Sequence, residues 1–143
     1  MSTVHYIAPR TALFLPASNP RAIEKARGLP ADMIILDLED AVKAADKDTA
    51  REAARTVERF GDRLFGIRVN AEDSAHWAKD LAAVNESAAT HVIVPKVEKP
   101  ETVAHAALHS GRPVLAMIET ATGVMNVGAI AGRVANAQIE CAY

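Results

Sequence analysis

Short apolar runs alternate with helix-like segments along almost the whole chain. Five runs rich in Val, Ile, Leu and Phe predict strands at 11–16, 32–38, 64–70, 91–95 and 114–119. Between them, apolar residues at helical spacing predict helices at 21–27, 46–60, 75–85, 100–109 and from Thr120 to about residue 132, and 138–143 predicts the start of a sixth strand. Strict alternation of this kind requires a parallel sheet with right-handed crossovers. We therefore expect residues 1–143 to form one α/β domain.

The second predicted strand has an unusual end. In Met33-Ile-Ile-Leu-Asp-Leu-Glu-Asp-Ala-Val42, an uninterrupted apolar run leads directly into three carboxylates, Asp37, Glu39 and Asp40. The apolar run is typical of a strand buried on both faces. Carboxylates crowded at its end repel one another unless a cation, a basic side chain or water lies between them. A buried parallel strand that ends in acids is therefore a candidate site.

The other predicted strands also end in polar or charged side chains. In chain order, the five ends carry Ser18 and Asn19; Asp37, Glu39 and Asp40; Arg68 and Asn70; Lys96 and Glu98; and Glu119. The carboxyl ends of parallel strands lie at one edge of a sheet, which is where α/β proteins form their sites. We expect these side chains to converge.

The acids predict a magnesium site. Mg²⁺ prefers one or two carboxylates together with water and substrate oxygens, and Glu119 is the best ligand candidate because it directly follows a buried strand. A glutamate here can instead stabilise the N-terminus of the next helix. For Glu39 and Asp40, direct ligation and an indirect or ion-pairing role are equally compatible with the sequence.

Arg68 lies between Ile67 and Val69, where its permanent charge needs an anionic partner. It either pairs with an acid of the second strand or binds a substrate carboxylate through two parallel hydrogen bonds. Arg21 and Lys25, one helical turn apart after the Ser18-Asn19 turn, can bind a phosphate or can form a solvated basic face.

Composition excludes several classes of function. A net charge of −2 and an aromatic content of 4% do not favour nucleic-acid binding. The single cysteine excludes an internal disulfide framework, and neither a signal peptide nor an apolar run of about 18 residues is present. We expect a cytoplasmic protein that binds a small molecule and neither nucleic acid nor membrane.

Five motifs resemble one known family when they are taken together. They are Arg10-Thr-Ala-Leu-Phe-Leu-Pro-Ala-Ser-Asn-Pro-Arg21, Ile35-Leu-Asp-Leu-Glu-Asp-Ala-Val42, Arg68-Val-Asn70, Val94-Pro-Lys-Val-Glu98 and Ile118-Glu-Thr-Ala-Thr-Gly123. In this order they resemble the citrate lyase beta-subunit-like branch of the HpcH/HpaI aldolase superfamily. The resemblance covers essentially the whole chain.

The resemblance implies a TIM (β/α)8 barrel and an Mg²⁺-dependent carbon–carbon lyase that acts on a 3-hydroxyacyl-CoA such as citryl-, malyl- or citramalyl-CoA. It implies that Glu119 ligates the metal, that Arg68 binds the keto-acid carboxylate, and that Glu39 and Asp40 orient metal-bound waters. It further implies that Asn70 and Lys96 line the substrate site and that Ser18, Arg21 and Lys25 approach the coenzyme A phosphates. A homo-oligomer, trimer or hexamer, is also implied.

The chain is shorter than that family's pattern. A complete barrel takes about 250 residues, whereas this sequence ends in the predicted sixth strand and lacks the Phe-Gly-x-x-Asp-like motif that carries the family's second metal ligand. We therefore expect the chain to form the first five βα units and the start of strand six of a barrel. That barrel is either truncated or completed by another chain.

Two other functions are compatible with the same residues. One is a metal-dependent aldolase that acts on free 2-keto acids such as pyruvate, without coenzyme A. The other is a non-catalytic half-barrel that binds coenzyme A or takes part in assembly, since the second metal ligand is missing.

Overall fold

A computed structural model describes residues 8–136 and 140–141, and it contains one six-stranded parallel sheet. The strands lie in chain order, each hydrogen-bonded to the next: β1 (Ala12–Pro16), β2 (Met33–Asp37), β3 (Leu64–Arg68), β4 (His91–Val94), β5 (Val114–Ala116) and β6 (Glu140–Cys141). This sequential order is that of a (β/α)8-type barrel, of which the chain supplies five βα units and the start of strand six. The predicted α/β class is confirmed.

In the described part of the chain, six α-helices join or follow these strands: α1 (Pro20–Arg27), α2 (Lys47–Thr56), α3 (Trp77–Glu86), α4 (Pro100–Ser110), α5 (Ala121–Met125) and α6 (Val127–Asn136). A short 3-10 helix (Ala44–Asp46) precedes α2. Asn19 caps the N-terminus of α1, because its side-chain Oδ1 accepts a hydrogen bond from the Ala22 N–H at 3.1 Å. Among the described residues, no helix is long and apolar enough to cross a bilayer.

The helices cover the outer face of the sheet. Alternation along β2 and β3 directs Ile34, Leu36, Phe65 and Ile67 into the main core against the helices, where all four are fully buried. The opposite, inner face carries a smaller apolar cluster around Met33, Ile35, Ile93 and Leu115. Both faces of β2 are therefore buried, as its uninterrupted apolar run predicts.

A glycine makes room for the inner cluster. A Cβ atom at Gly66 would lie 2.1 Å from Cδ1 of Ile93 and 2.8 Å from Cε of Met33. The period of two also places Asp37 above Met33 and Ile35, and Arg68 above Leu64 and Gly66. The inner apolar rows of β2 and β3 thus end, at their carboxyl ends, in an acid and a base.

Several predicted boundaries were wrong in ways that tertiary contacts explain. Helix α2 ends at Thr56 instead of residue 60, because the backbone of Val57 is extended and Phe60 is buried beneath the guanidinium of Arg27. The helix predicted from Thr120 to residue 132 is two helices, broken at Asn126, whose side chain donates to the Glu98 carbonyl at 2.8 Å.

The predicted fifth strand is longer than the observed one. β5 ends at Ala116, although the Met117 N–H still donates to the Val94 carbonyl at 2.9 Å, and Glu119 therefore lies in the loop that follows the strand. Only residues 140–141 of the predicted 138–143 strand are described, and both are in β6.

A buried ionic network joins β3 to α2 and α3. Asp80 is fully buried, and its carboxylate accepts from Arg51 Nε at 2.7 Å, from the Asn70 backbone N–H at 2.9 Å and from Asn70 Nδ2 at 2.6 Å. Removal of one partner of a buried ion pair leaves an uncompensated charge. The network therefore holds Asn70 and the end of β3 against the helical layer.

Replacement of Asp80 tests this network. We expect Asp80→Ala to lower the free energy of unfolding by about 3 kcal/mol, because Arg51 loses its buried partner and the two Asn70 donors lose their acceptor. Urea denaturation measures the change. Asp73→Ala, at an exposed position four residues before α3, is the control and should change the value by no more than about 0.5 kcal/mol. Equal effects of the two substitutions would contradict the assignment.

Candidate functional site

The parallel sheet brings the predicted site residues to one edge, and five of them make direct contacts. We call Asp37, Glu39, Asp40, Arg68, Lys96 and Glu119 the strand-end cluster. The sequence assigned no ligand or substrate role to Asp37, although it placed this residue among the strand ends expected to converge. The members of the cluster come from β2, β3 and the loops after β2, β4 and β5. The convergence predicted from the polar strand ends is observed for these residues.

Asp37 is the most buried member of the cluster, with 1% of its surface exposed. It stands opposite Arg68 in the β2–β3 register. Its carboxylate accepts from Arg68 Nε at 2.8 Å and Nη2 at 2.6 Å, and from the backbone N–H groups of Glu39 and Ala41. Burial raises the pKa of Asp37, but these four hydrogen bonds outweigh burial and hold the pKa below its ordinary value.

Arg68 is held on three sides. Beyond the two bonds to Asp37, its Nη1 lies 3.2 Å from Glu39 Oε2 and its guanidinium carbon lies 5.2 Å from the centre of the Phe14 ring. The hydrogen bonds with Asp37 raise the pKa of Arg68 above its already high value. Of the two partners predicted for Arg68, the acid of the second strand is present in the structure. The pairing uses the Nε–Nη2 edge of the guanidinium and leaves the Nη1 donors and the second Nη2 hydrogen free of Asp37.

Glu39 links Arg68 to Lys96. Glu39 is buried, and its Oε1 accepts from Lys96 Nζ at 2.6 Å. Its Oε2 is within ion-pair distance of Arg68 Nη1 but lacks the alignment of a hydrogen bond, so this buried oxygen has no hydrogen-bond donor among the described residues. The hydrogen bond with Glu39 raises the pKa of Lys96. Asp40 is exposed, with Oδ1 3.8 Å from the same ammonium.

Glu119 is exposed at the loop between β5 and α5, where its Oε1 accepts from the Lys96 backbone N–H at 2.9 Å. Thr120 is the residue that caps α5, through a hydrogen bond from the Gly123 N–H to its Oγ1 at 3.0 Å. Thr120, and not Glu119, therefore supplies the capping hydrogen bond of α5. Within the described part of the chain, Glu119 Oε2 accepts no hydrogen bond.

Lys47 and Asp80 are site-supporting residues that the sequence analysis missed. The Lys47 ammonium donates to the Leu38 and Glu39 carbonyls, both at 2.6 Å, and to Asn70 Oδ1 at 2.7 Å. Asn70, predicted to contact substrate, is buried and its amide is shared between Lys47 and Asp80. No local pattern marks Lys47, because its partners lie 8 to 23 residues away.

The residues predicted to approach coenzyme A lie apart from these contacts. Ser18 is half-buried in the turn before α1, and Arg21 and Lys25 are exposed on that helix. Over residues 8–133, none of their side chains makes a hydrogen bond or ion pair with the strand-end cluster. Their predicted role stays a prediction.

The described residues hold no group of three or more His, Cys, Asp or Glu side chains close enough to enclose a metal ion. What they offer is a single carboxylate, Glu119, with one oxygen oriented by a backbone N–H and the other available. The cluster's four carboxylates and two cations carry a net formal charge of −2, which a divalent cation would neutralise. Hard oxygen donors with this charge suit Mg²⁺.

Comparison with known proteins gives a consistent set of relatives. Residues 10–143 match the HpcH/HpaI aldolase/citrate lyase family. The chain is 43% identical, over 126 residues, to a (3S)-malyl-CoA thioesterase of Cereibacter sphaeroides, a match that covers 85% of this chain and 44% of the relative. The chain thus spans less than half the length of that curated relative.

Solved structures of Mycobacterium tuberculosis proteins are similar in fold. The citrate lyase beta subunit complexed with oxaloacetate and magnesium has a TM-score of 0.73 at 39% identity, covering 85% of this chain and 52% of that one. The protein CitE in complex with magnesium, acetoacetate and coenzyme A has a TM-score of 0.76 at 39% identity, covering 87% and 45%.

The Asp37–Arg68 pair should make the free energy of unfolding depend on pH. Because the pKa of Asp37 is lowered in the folded chain, its carboxylate contributes stability that is fully present above the ordinary value of 3.8 and is lost as the pH falls through the folded value. At pH 7 we expect Asp37→Asn to cost about 2 kcal/mol of unfolding free energy. The difference from wild type should shrink below about pH 4.

Urea denaturation between about pH 7 and pH 3 measures that difference. Asp62→Asn, in the exposed turn before β3, is the control and should follow the wild-type curve. A stability difference for Asp37→Asn that stays constant to the lowest pH would contradict the role given to its carboxylate.

Proposed function

The chain belongs to the HpcH/HpaI aldolase/citrate lyase family, and we propose that it carries the keto-acid and metal-binding part of an Mg²⁺-dependent carbon–carbon lyase. The proposed substrate is a 3-hydroxyacyl-CoA such as citryl-, malyl- or citramalyl-CoA. The observation that carries the proposal is Arg68, oriented by Asp37 at the same sheet edge as Glu119. The magnesium, oxaloacetate and coenzyme A complexes of the Mycobacterium tuberculosis proteins support it.

Arg68 is suited to the carboxylate of a keto acid. Its charge is permanent, it is half-buried, and Asp37 and the Phe14 ring restrict its orientation. An arginine fixed in this way loses little conformational freedom when it binds an anion, so more of the interaction is available to position the substrate. Asp37 is held by four donors and can neutralise Arg68 without moving toward the substrate.

Glu119 would hold the metal through the oxygen that the Lys96 N–H does not occupy. When bound, Mg²⁺ would act as a Lewis acid toward a keto or carboxylate oxygen. The residues of this chain bring the arginine and the carboxylate that would hold the metal to one edge. Glu39 and Asp40 supply the surrounding negative charge and hold Lys96 between them.

Ser18, Arg21 and Lys25 form the proposed approach to coenzyme A. The turn at Ser18 follows β1 at the same edge of the sheet, and the two basic residues are exposed one turn apart. Exposed cations of this kind bind phosphate groups mainly through charge. We also propose that the intact enzyme is a homo-oligomer, as the family resemblance implies.

Arg68→Lys tests the keto-acid role. In the presence of Mg²⁺, we expect this substitution to weaken oxaloacetate binding at least roughly ten-fold, because lysine keeps the charge but loses the paired donors. Isothermal titration calorimetry measures the affinity, and circular dichroism checks that the variant is folded. Arg10→Lys, at an exposed ion pair with Asp32 near the opposite ends of the strands, is the control. Equal affinity in the two variants would contradict the proposal.

Loss of the basic pair on α1 tests the thioester substrate. The double variant Arg21→Ala/Lys25→Ala should bind coenzyme A several-fold more weakly and bind oxaloacetate as wild type does, because only the phosphates need these charges. Arg55→Ala/Arg59→Ala removes the same charge near the end of α2 and is the matched control. Unchanged coenzyme A affinity in the first variant would favour an aldolase that acts on free keto acids.

A further inference from the structure

Lys96 has an unusual backbone conformation. Its φ of 51° is the one positive value among the non-glycine residues that the structure describes. A left-handed conformation costs a lysine roughly 1–2 kcal/mol, and such strain persists where the surrounding structure requires it. Here it directs the Lys96 N–H at Glu119 Oε1 and lets the side chain turn back toward β2.

The ammonium of Lys96 lies among three acids. Its Nζ is 2.6 Å from Glu39 Oε1 and 3.8 Å from Asp40 Oδ1, and the negative charge of Glu119 also acts on it. Lys96 therefore contacts Glu119 through its backbone N–H, and it contacts Glu39 and Asp40 through its side chain. The ammonium lies close to the negative charge that would attract a divalent cation.

Lys96 is also able to leave this position. Its side chain is 46% exposed, whereas Glu39 is 6% exposed and Arg68 is 12% exposed. If the ammonium moved into solvent, Arg68 Nη1 would still lie 3.2 Å from Glu39 Oε2 and would offset part of its charge. The buried acid would not be left without a cation, so the movement would avoid the large cost of an unpaired buried charge.

We propose that Lys96 is a displaceable counter-ion that competes with the divalent cation. The inference rests on the proposed function, which places the metal at Glu119. A doubly charged ion at Glu119 would repel the ammonium and take over its interaction with the acids. Lys96 would then leave Glu39 and become available to an anionic group of the substrate, so that the metal binds first and prepares the site for the keto acid.

The other interpretation is a permanent ion pair that only joins the two loops. The two interpretations differ in the effect of removing the charge. A permanent pair would support the site, so its loss would weaken metal binding or leave it unchanged. A competing ammonium would oppose the metal, so its loss would strengthen binding. Lys96→Met is a suitable change because both side chains are unbranched and the backbone strain is the same.

Titration of the chain with Mg²⁺ by isothermal calorimetry distinguishes them. We expect Lys96→Met to bind Mg²⁺ roughly five-fold more tightly than wild type, and Lys96→Arg to bind as wild type does. Lys99→Met is the matched control, because it removes the same charge only three residues from Lys96. Lys99 pairs with Glu72 at 3.2 Å and not with the strand-end cluster. Lys99→Met should change the affinity by less than about two-fold.

Glu119→Gln separates failure of this inference from failure of the proposed function. If Glu119→Gln abolishes Mg²⁺ binding but Lys96→Met binds Mg²⁺ no more tightly than wild type, the counter-ion role of Lys96 is wrong and the metal site at Glu119 is supported. If Glu119→Gln binds as wild type does, the metal site at Glu119 is wrong. If neither wild type nor Lys96→Met binds Mg²⁺, both are wrong.

A second measurement follows the ammonium itself. Lys96 in wild type should be acetylated by acetic anhydride roughly three-fold faster with saturating Mg²⁺ than without it, because the metal releases the amine from Glu39. Peptide mass spectrometry gives the rate, and the exposed Lys43 is the internal reference. A Lys96 rate that Mg²⁺ leaves unchanged relative to Lys43 would overturn the proposal.

Discussion

The ion pair between Asp37 and Arg68 is the interaction on which the rest of the site depends. Two opposite charges stand side by side in the register of β2 and β3, above the apolar residues of the inner face. Neither could be buried there alone, because an isolated ion loses its hydration without compensation. Two short hydrogen bonds pair them, and the Asp37 carboxylate thereby fixes the guanidinium of Arg68 at the carboxyl ends of both strands. Glu39, Lys96 and Glu119 then extend the contacts across the edge of the sheet.

Parallel topology explains why residues so distant in sequence act together. Each βα unit returns the chain to the same side of the sheet, so the residue after each strand meets the residues after its neighbours. Contacts between the loops fix the relative positions of these residues. Lys47 joins the loop after β2 to Asn70, and the Lys96 N–H joins the loops after β4 and β5. The edge is thus a connected set of charges rather than a row of independent side chains.

The sequence predicted the features that arise from local residue patterns, but it did not predict those that arise from contacts between distant residues. Uninterrupted apolar runs located the first five of the six strands, and the polar residue types at their ends indicated the edge where the strand-end cluster lies. The partner of Arg68 stayed open, because both an acid and a substrate satisfy a buried guanidinium. The support from Lys47 and Asp80, the left-handed backbone of Lys96 and the break at Asn126 all depend on distant partners. No periodicity or capping motif records such partners.

In the proposed function, one strand edge binds a keto acid through Arg68 and a metal through Glu119 at the same time. A crystal structure of the chain grown with Mg²⁺ and oxaloacetate tests it most directly. We expect metal density at Glu119 Oε2, the oxaloacetate carboxylate on Arg68 donors that Asp37 leaves available, and an intact Asp37–Arg68 pair. Metal or keto acid bound away from these residues, or an Arg68 that leaves Asp37 to reach the ligand, would contradict it.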